Sequence, residues 1–180
     1  YGERLNEDGA LDQREIGQHI KTGKPQTDTY ILKGQGTEVW EPRFVYHGFQ
    51  YVEVTGLPGK ASLDMLEARV VHTAFDKAGS FECSNELFNR IQRNTLWSYV
   101  SNFHGYPTDC PHREKNGWIG DSAVACEQTI IHHAPMAGYT KWMRDFRDCQ
   151  KPAGAFPCVV PSTGWGYGHW NGPDYSSAFF

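Results

Sequence analysis

The chain has 180 residues and a formal charge of −4, with 39% hydrophobic residues and a high aromatic share of 14%. That length suits one domain or parts of two. The mild acidity, the lack of a long basic run and the lack of an apolar run near the ~20 residues of a membrane span exclude nucleic acid and membrane as expected partners.

Residues 1–28 are polar and without a sustained period, and read as irregular structure. Short β-rich stretches follow: Tyr30–Leu32, Thr37–Trp40, Phe44–His47, Phe49–Val54 and Leu66–His72. Gly and Pro bound them at intervals of roughly ten residues, the pattern of a β-sandwich. Asp76–Ser80 reads as a linker. Ser84 is placed to cap a helix from Asn85 to about Asn102, with Leu87, Phe88, Ile91 and Thr95 or Leu96 on one face. A second helix is predicted over Ser122–His132. A third follows Pro135, where Tyr139, Trp142, Met143 and Phe146 have i, i+3, i+4, i+7 spacing. The aromatic, Gly- and Pro-rich stretch Pro152–Tyr175 reads as a long functional loop. Strands first and helices afterwards predict an α+β chain of two domains, with a boundary near 76–82. The basic segment Lys141–Lys151 alternates with acids and aromatics, as an amphipathic helix does.

Five cysteines stand at 83, 110, 126, 149 and 158, without a Cys-x-x-Cys pair. An odd, scattered set disfavours a disulfide scaffold and a zinc knuckle. With no leader pattern at the start, it fits a reducing, cytoplasmic compartment. Tyr1 and the apolar run ending at Phe180 are read as cut ends of a longer protein.

Between the first two helices lies DCPHREKNGWIGD, residues 109–121. Pro107 and Pro111 bracket Asp109 and exclude a regular helix there. Gly117 and Gly120 permit a turn back, and Asp121 or Ser122 is placed to cap the next helix. Asp109, Glu114 and Asp121 can converge in a pocket, and crowded carboxylates raise the pKa of at least one. An acid that stays protonated near neutrality serves a leaving glycosidic oxygen. Arg113 can hold a carboxylate ionised or donate to a hydroxyl. Trp118 offers a flat apolar face, and the surplus of aromatics suits sugar faces. Plainer readings stand beside these: Asp121 as a cap alone, Arg113–Glu114 as an exposed ion pair, Trp118 as core. A metal site from Asp109, His112 and Glu114 with His104 nearby lacks a ligand-spaced histidine pair. A Cys110 nucleophile is poorly placed before proline.

As a whole the motif resembles the signature of α-L-rhamnosidases, glycoside hydrolase family 78: Asp-Cys-Pro-x-Arg, an acidic residue, then Gly-Trp-x-Gly-Asp. Phe44–Val54 resembles a segment of the β-sandwich that precedes the family's catalytic domain. Phe81–Tyr99 resembles its first barrel helix, and Gly172–Ala178 a later Pro-Asp-Trp segment. The resemblance implies residues 1–77 as the end of a β-sandwich and 78–180 as the start of an (α/α)6 barrel. It implies inverting hydrolysis of terminal non-reducing α-L-rhamnose from rhamnosides or oligosaccharides, without cofactor or metal. By position Glu114 is then the general acid; Asp109, Arg113 and Asp121 bind rhamnose hydroxyls, and Trp118 packs on the sugar. Asp174 and Tyr175, the latter where the family often has Trp, are further binding candidates. The general base is a Glu beyond this chain, so the 180 residues alone are expected to be inactive and unstable. The rival expectations are another carbohydrate-active enzyme on the same barrel and a non-catalytic carbohydrate-binding protein.

Overall fold

The computed structural model describes residues 1–18, 22–162 and 166–168. It divides into two compact units, Tyr1–Val70 with Pro111–Glu114, and Val71–Cys110 with Lys115–Phe180.

In the first unit, β1 (Arg4–Leu5) pairs antiparallel with β2 (Leu11–Asp12), followed by one helical turn, α1 (Arg14–Gly17). These lie in the segment expected to be irregular. Asn6–Ala10 closes the hairpin, with Gly9 at φ 84 and Asn6 N–H donating to Ala10 O at 2.8 Å. The stretches expected as strands at 30–54 and 66–72 form no ladder among the described residues, apart from a Gly2–Tyr51 bridge. Propensity marks a segment that fits a pleated surface; it does not supply the partner strand. Ile31 and Val39 are accordingly exposed. A 3₁₀ turn, Leu63–Met65, interrupts the later part.

The second unit holds α2 (Glu86–Val100), α3 (Ile119–His132) and α4 (Met136–Cys149). Asn85, not Ser84, caps α2: its side chain accepts from Leu87 N–H at 3.0 Å. The apolar face of α2 is open, with Leu87 60%, Phe88 53% and Ile91 52% exposed, while Tyr99 near its end is 7% exposed. The segment read as a linker is docked on the end of α3. Lys77 bridges His133, and Ala78 N–H donates to His132 O at 2.9 Å. A Cβ on Gly79 would collide with Ile131 O.

Ile119, Trp142, Phe146 and Val160 form the core, with Tyr106, Tyr139, Met143, Cys149 and Phe156 packed against it. The stretch read as a loop from Pro152 therefore supplies core: Cys158, Val159 and Val160 are almost fully buried. The Trp142 Nε1–H donates to Val160 O at 2.7 Å. Trp142→Phe removes that donor and volume from a close-packed site. It is expected to cost about 2 kcal/mol, part packing and part an unsatisfied carbonyl, read as a lower urea midpoint. No described helix is long and apolar enough to cross a membrane.

A second aromatic cluster surrounds His133, which stacks on Tyr99 at 5.8 Å and lies 5.8 Å from Phe75. Burial, then repulsion from His132 and His72, lowers its pKa. Burial also lowers that of His104, whose Nε2 bonds Val71 O at 2.8 Å. Both rings are thus held neutral, and the unfolded chain takes up protons first. The stability this contributes is present above the unfolded value of about 6.5 and is lost as pH falls below it. Unfolding temperature is expected to drop between pH 7.5 and 5.5, and to drop less in His133→Phe.

Candidate active site

Residues 101–118 connect α2 to α3, and local hydrogen bonds shape them. Asn102 O accepts from Thr108 N–H at 2.7 Å and from Thr108 Oγ1 at 3.2 Å, and Gly105 turns at φ 82. Pro107 and Thr108 are buried. The entry to α3 is fixed from outside the connection. Val160 N–H donates to Gly117 O at 2.8 Å, Ile119 N–H donates to Cys158 O at 3.1 Å, and Trp118 bridges Val159. A tertiary carbonyl thus satisfies a helix-entrance N–H that a capping side chain would otherwise take. For that reason α3 starts at Ile119, with Trp118 at the N-cap position. Asp121 and Ser122, expected as caps, lie inside the first turn, where the carboxylate of Asp121 complements the helix dipole.

Asp109 is half-buried. Its Oδ1 accepts from Asn116 N–H at 2.9 Å and its Oδ2 from the Cys110 thiol at 2.8 Å. Its own N–H donates to Asn116 O at 3.0 Å, so the loop closes on itself around this carboxylate. Lys115, just before Asn116, sits in the left-handed region at φ 54, a conformation a non-glycine residue holds only where its surroundings impose it.

Asp109 and Asp121 line one cavity of about 1090 Å³ within the second unit. Its other walls include Asn94, Thr95, Ser98 and Asn102 from α2 and the turn after it, and Ser122 and Gln128 from α3. Three buried atoms of these walls, Asn102 Oδ1, Ser122 Oγ and Gln128 Oε1, have no hydrogen-bond partner among the described residues. The inventory is two acceptor-only carboxylates beside hydroxyls and amides that donate and accept. It suits a ligand rich in hydroxyl groups.

Arg113 and Glu114 fall in the tetrapeptide that groups with the first unit, and both are half-buried. There the tetrapeptide rests on Gly48: a Cβ at that position would lie 2.8 Å from Pro111 Cγ and 3.0 Å from His112 Cβ. Gly48 is clasped by Gln26, whose Nε2 donates to Gly48 O at 2.7 Å and whose Oε1 accepts from Gly48 N–H at 3.1 Å. His112 Nε2 lies 3.6 Å from Glu3 Oε2. The candidates Asp174 and Tyr175 lie outside the described residues.

Sequence reasoning missed the α2 wall. Its signal is the polar stripe Asn94, Ser98, Asn102 at i, i+4, i+8, which reads equally as a solvated helix face. It also missed the bond from the Cys110 thiol to Asp109.

Residues 76–175 match the family model of the bacterial alpha-L-rhamnosidase 6 hairpin glycosidase domain, and residues 1–72 that of the bacterial alpha-L-rhamnosidase concanavalin-like domain. An alpha-L-rhamnosidase of Formosa agariphila is 45% identical over 130 residues, covering 72% of this chain and 14% of the relative. The solved alpha-L-rhamnosidase of Dictyoglumus thermophilum superposes with TM-score 0.88 at 41% identity, over 99% of this chain and 20% of its own. That of Streptomyces avermitilis, solved in complex with L-rhamnose, superposes with TM-score 0.78 at 38% identity, over 91% and 16%. The chain therefore spans a fifth or less of the length of these relatives.

Proposed function

The chain belongs to the bacterial α-L-rhamnosidase family, and from that premise we propose that it is part of an inverting glycoside hydrolase releasing terminal non-reducing α-L-rhamnose. The observation that carries the reading is the cavity lined by Asp109 and Asp121 together with amide and hydroxyl side chains. Carboxylates paired with such groups are what a ring of vicinal hydroxyls requires, and the rhamnose bound by the Streptomyces relative is such a ring.

In this proposal Glu114 is the general acid that protonates the leaving glycosidic oxygen. Asp109, Arg113 and Asp121 hold rhamnose hydroxyls, and Trp118 packs on the sugar's apolar face. Asp174 and Tyr175 extend the binding wall. The general base, a carboxylate roughly 6.5–9.5 Å from the acid in inverting enzymes, is assigned to a part of the full-length enzyme outside these residues. Residues 1–77 are assigned to a β-sandwich domain and 78–180 to an (α/α)6 barrel. The substrates are rhamnose-containing glycosides or oligosaccharides.

Proton NMR of the full-length enzyme acting on p-nitrophenyl α-L-rhamnoside tests the reaction. The β anomer of rhamnose is expected first, before mutarotation. Early α anomer would mean retention and remove the inverting assignment. Binding of rhamnose without turnover would leave a carbohydrate-binding protein.

A further inference from the structure

We propose that Cys110 is a positioning residue whose thiol holds the Asp109 carboxylate in the orientation that accepts a sugar hydroxyl. This deepens the preceding proposal and rests on its reading of Asp109 as a rhamnose-binding residue.

Cys110 is 5% exposed. Its Sγ–H donates to Asp109 Oδ2 at 2.8 Å, while the backbone N–H of Asn116 donates to Oδ1 at 2.9 Å. The carboxylate is therefore gripped at both oxygens, once by a side chain and once by backbone. Rotation of its plane breaks both bonds. A carboxylate oxygen carries two lone pairs, so an oxygen held this way can still accept from a ligand. Asp109 lines the cavity, so the grip sets the direction in which the carboxylate meets what enters.

The thiol is also a weak donor. It fixes the carboxylate without competing strongly with a sugar hydroxyl for its charge. Serine reproduces the donor at nearly the same size. Alanine and valine do not, and valine fills the space.

The test uses the full-length enzyme and p-nitrophenyl α-L-rhamnoside. Cys110→Ala is expected to raise KM about tenfold, the scale of one hydrogen bond to a charged group, with kcat little changed because binding is lost equally in ground and transition states. Cys110→Ser is expected to restore KM to within about threefold of wild type, since the hydroxyl donates as well. In an Asp109→Asn background, Cys110→Ala is expected to add almost nothing, because two residues acting through one interaction are not additive. Should Cys110→Ala fail to fold, Cys110→Val carries the same readout.

A merely packing role lowers the folded fraction, and with it apparent kcat, while leaving KM alone. That result overturns the proposal. So does an equal KM effect in the Asp109→Asn background, or a serine variant as poor as alanine. Wild-type inactivity on every rhamnoside overturns the functional reading and this proposal with it. Wild-type activity with unchanged KM in Cys110→Ala overturns this proposal alone.

Discussion

Glu114→Gln in the full-length enzyme is expected to lower kcat on a natural rhamnosyl disaccharide by about 10² or more, the usual scale of a general-acid contribution. A sugar alkoxide is a poor leaving group, so its departure depends on protonation in the transition state. Glutamine keeps the shape of the side chain and its hydrogen bonding but carries no proton to give. The loss should appear in kcat and kcat/KM alike, because the interaction is made only in the transition state. p-Nitrophenolate leaves readily without a proton, so the same variant should lose less on the nitrophenyl glycoside. That difference between leaving groups separates an acid from a residue that only binds. Equal losses on both substrates would place Glu114 in binding and leave the acid elsewhere.

Gly117→Ala carries the largest expected cost to stability. Its Cβ would collide with the Val160 carbonyl oxygen and lie 3.3 Å from Tyr106 Cδ2. That oxygen has no room to yield. It accepts the Trp142 indole N–H at 2.7 Å, Val160 is fully buried, and Val160 N–H donates to Gly117 O. Relief would need separation of the 116–119 and 158–160 segments and would undo the entrance of α3. A loss of about 3 kcal/mol or more is expected, at the upper end of overpacking costs. Urea unfolding measures it, beside Gly59→Ala, where nothing lies within 4 Å of the added carbon. That control should stay within about 0.5 kcal/mol of wild type. A Gly117→Ala protein as stable as the control would show that the two segments are not held as described.

What was legible in the sequence is what depends on local chemistry. The periodicity at Tyr139, Trp142, Met143 and Phe146 placed α4, and Trp142 and Phe146 are its buried residues. Asn85 and Glu86 begin α2 within a residue or two of the expected start. The spacing of prolines and glycines marked a connection over about 103–121, where the structure has 101–118, and Asp109 and Asp121 do share a cavity.

Most of what was not legible depends on partners distant in sequence. Gly117 and Gly120 look like helix breakers, yet α3 begins between them because Cys158 and Val160 meet its entrance. Val159 and Val160 sit in a Gly- and Pro-rich stretch that reads as loop, and are core. Asp76–Ser80 has the composition of a linker, and its backbone bonds to 132–134 at the end of α3 show where it docks. The periodicity of α2 marks an apolar face but not what covers it, and Leu87, Phe88 and Ile91 are exposed. Cys110 offered no sequence signal for its bond to Asp109, because neighbours in sequence need not meet.

The most direct test of the central claim is kcat/KM of the full-length enzyme on p-nitrophenyl α-L-rhamnoside, set beside the α-mannoside. The two sugars are of opposite series, and rhamnose carries a methyl group where mannose carries hydroxymethyl. A rhamnosidase is expected to turn over the first and to leave the second at least about tenfold behind, the low end of discrimination by a fitted pocket. Turnover of the mannoside with none of the rhamnoside would keep a glycosidase and contradict the rhamnoside assignment.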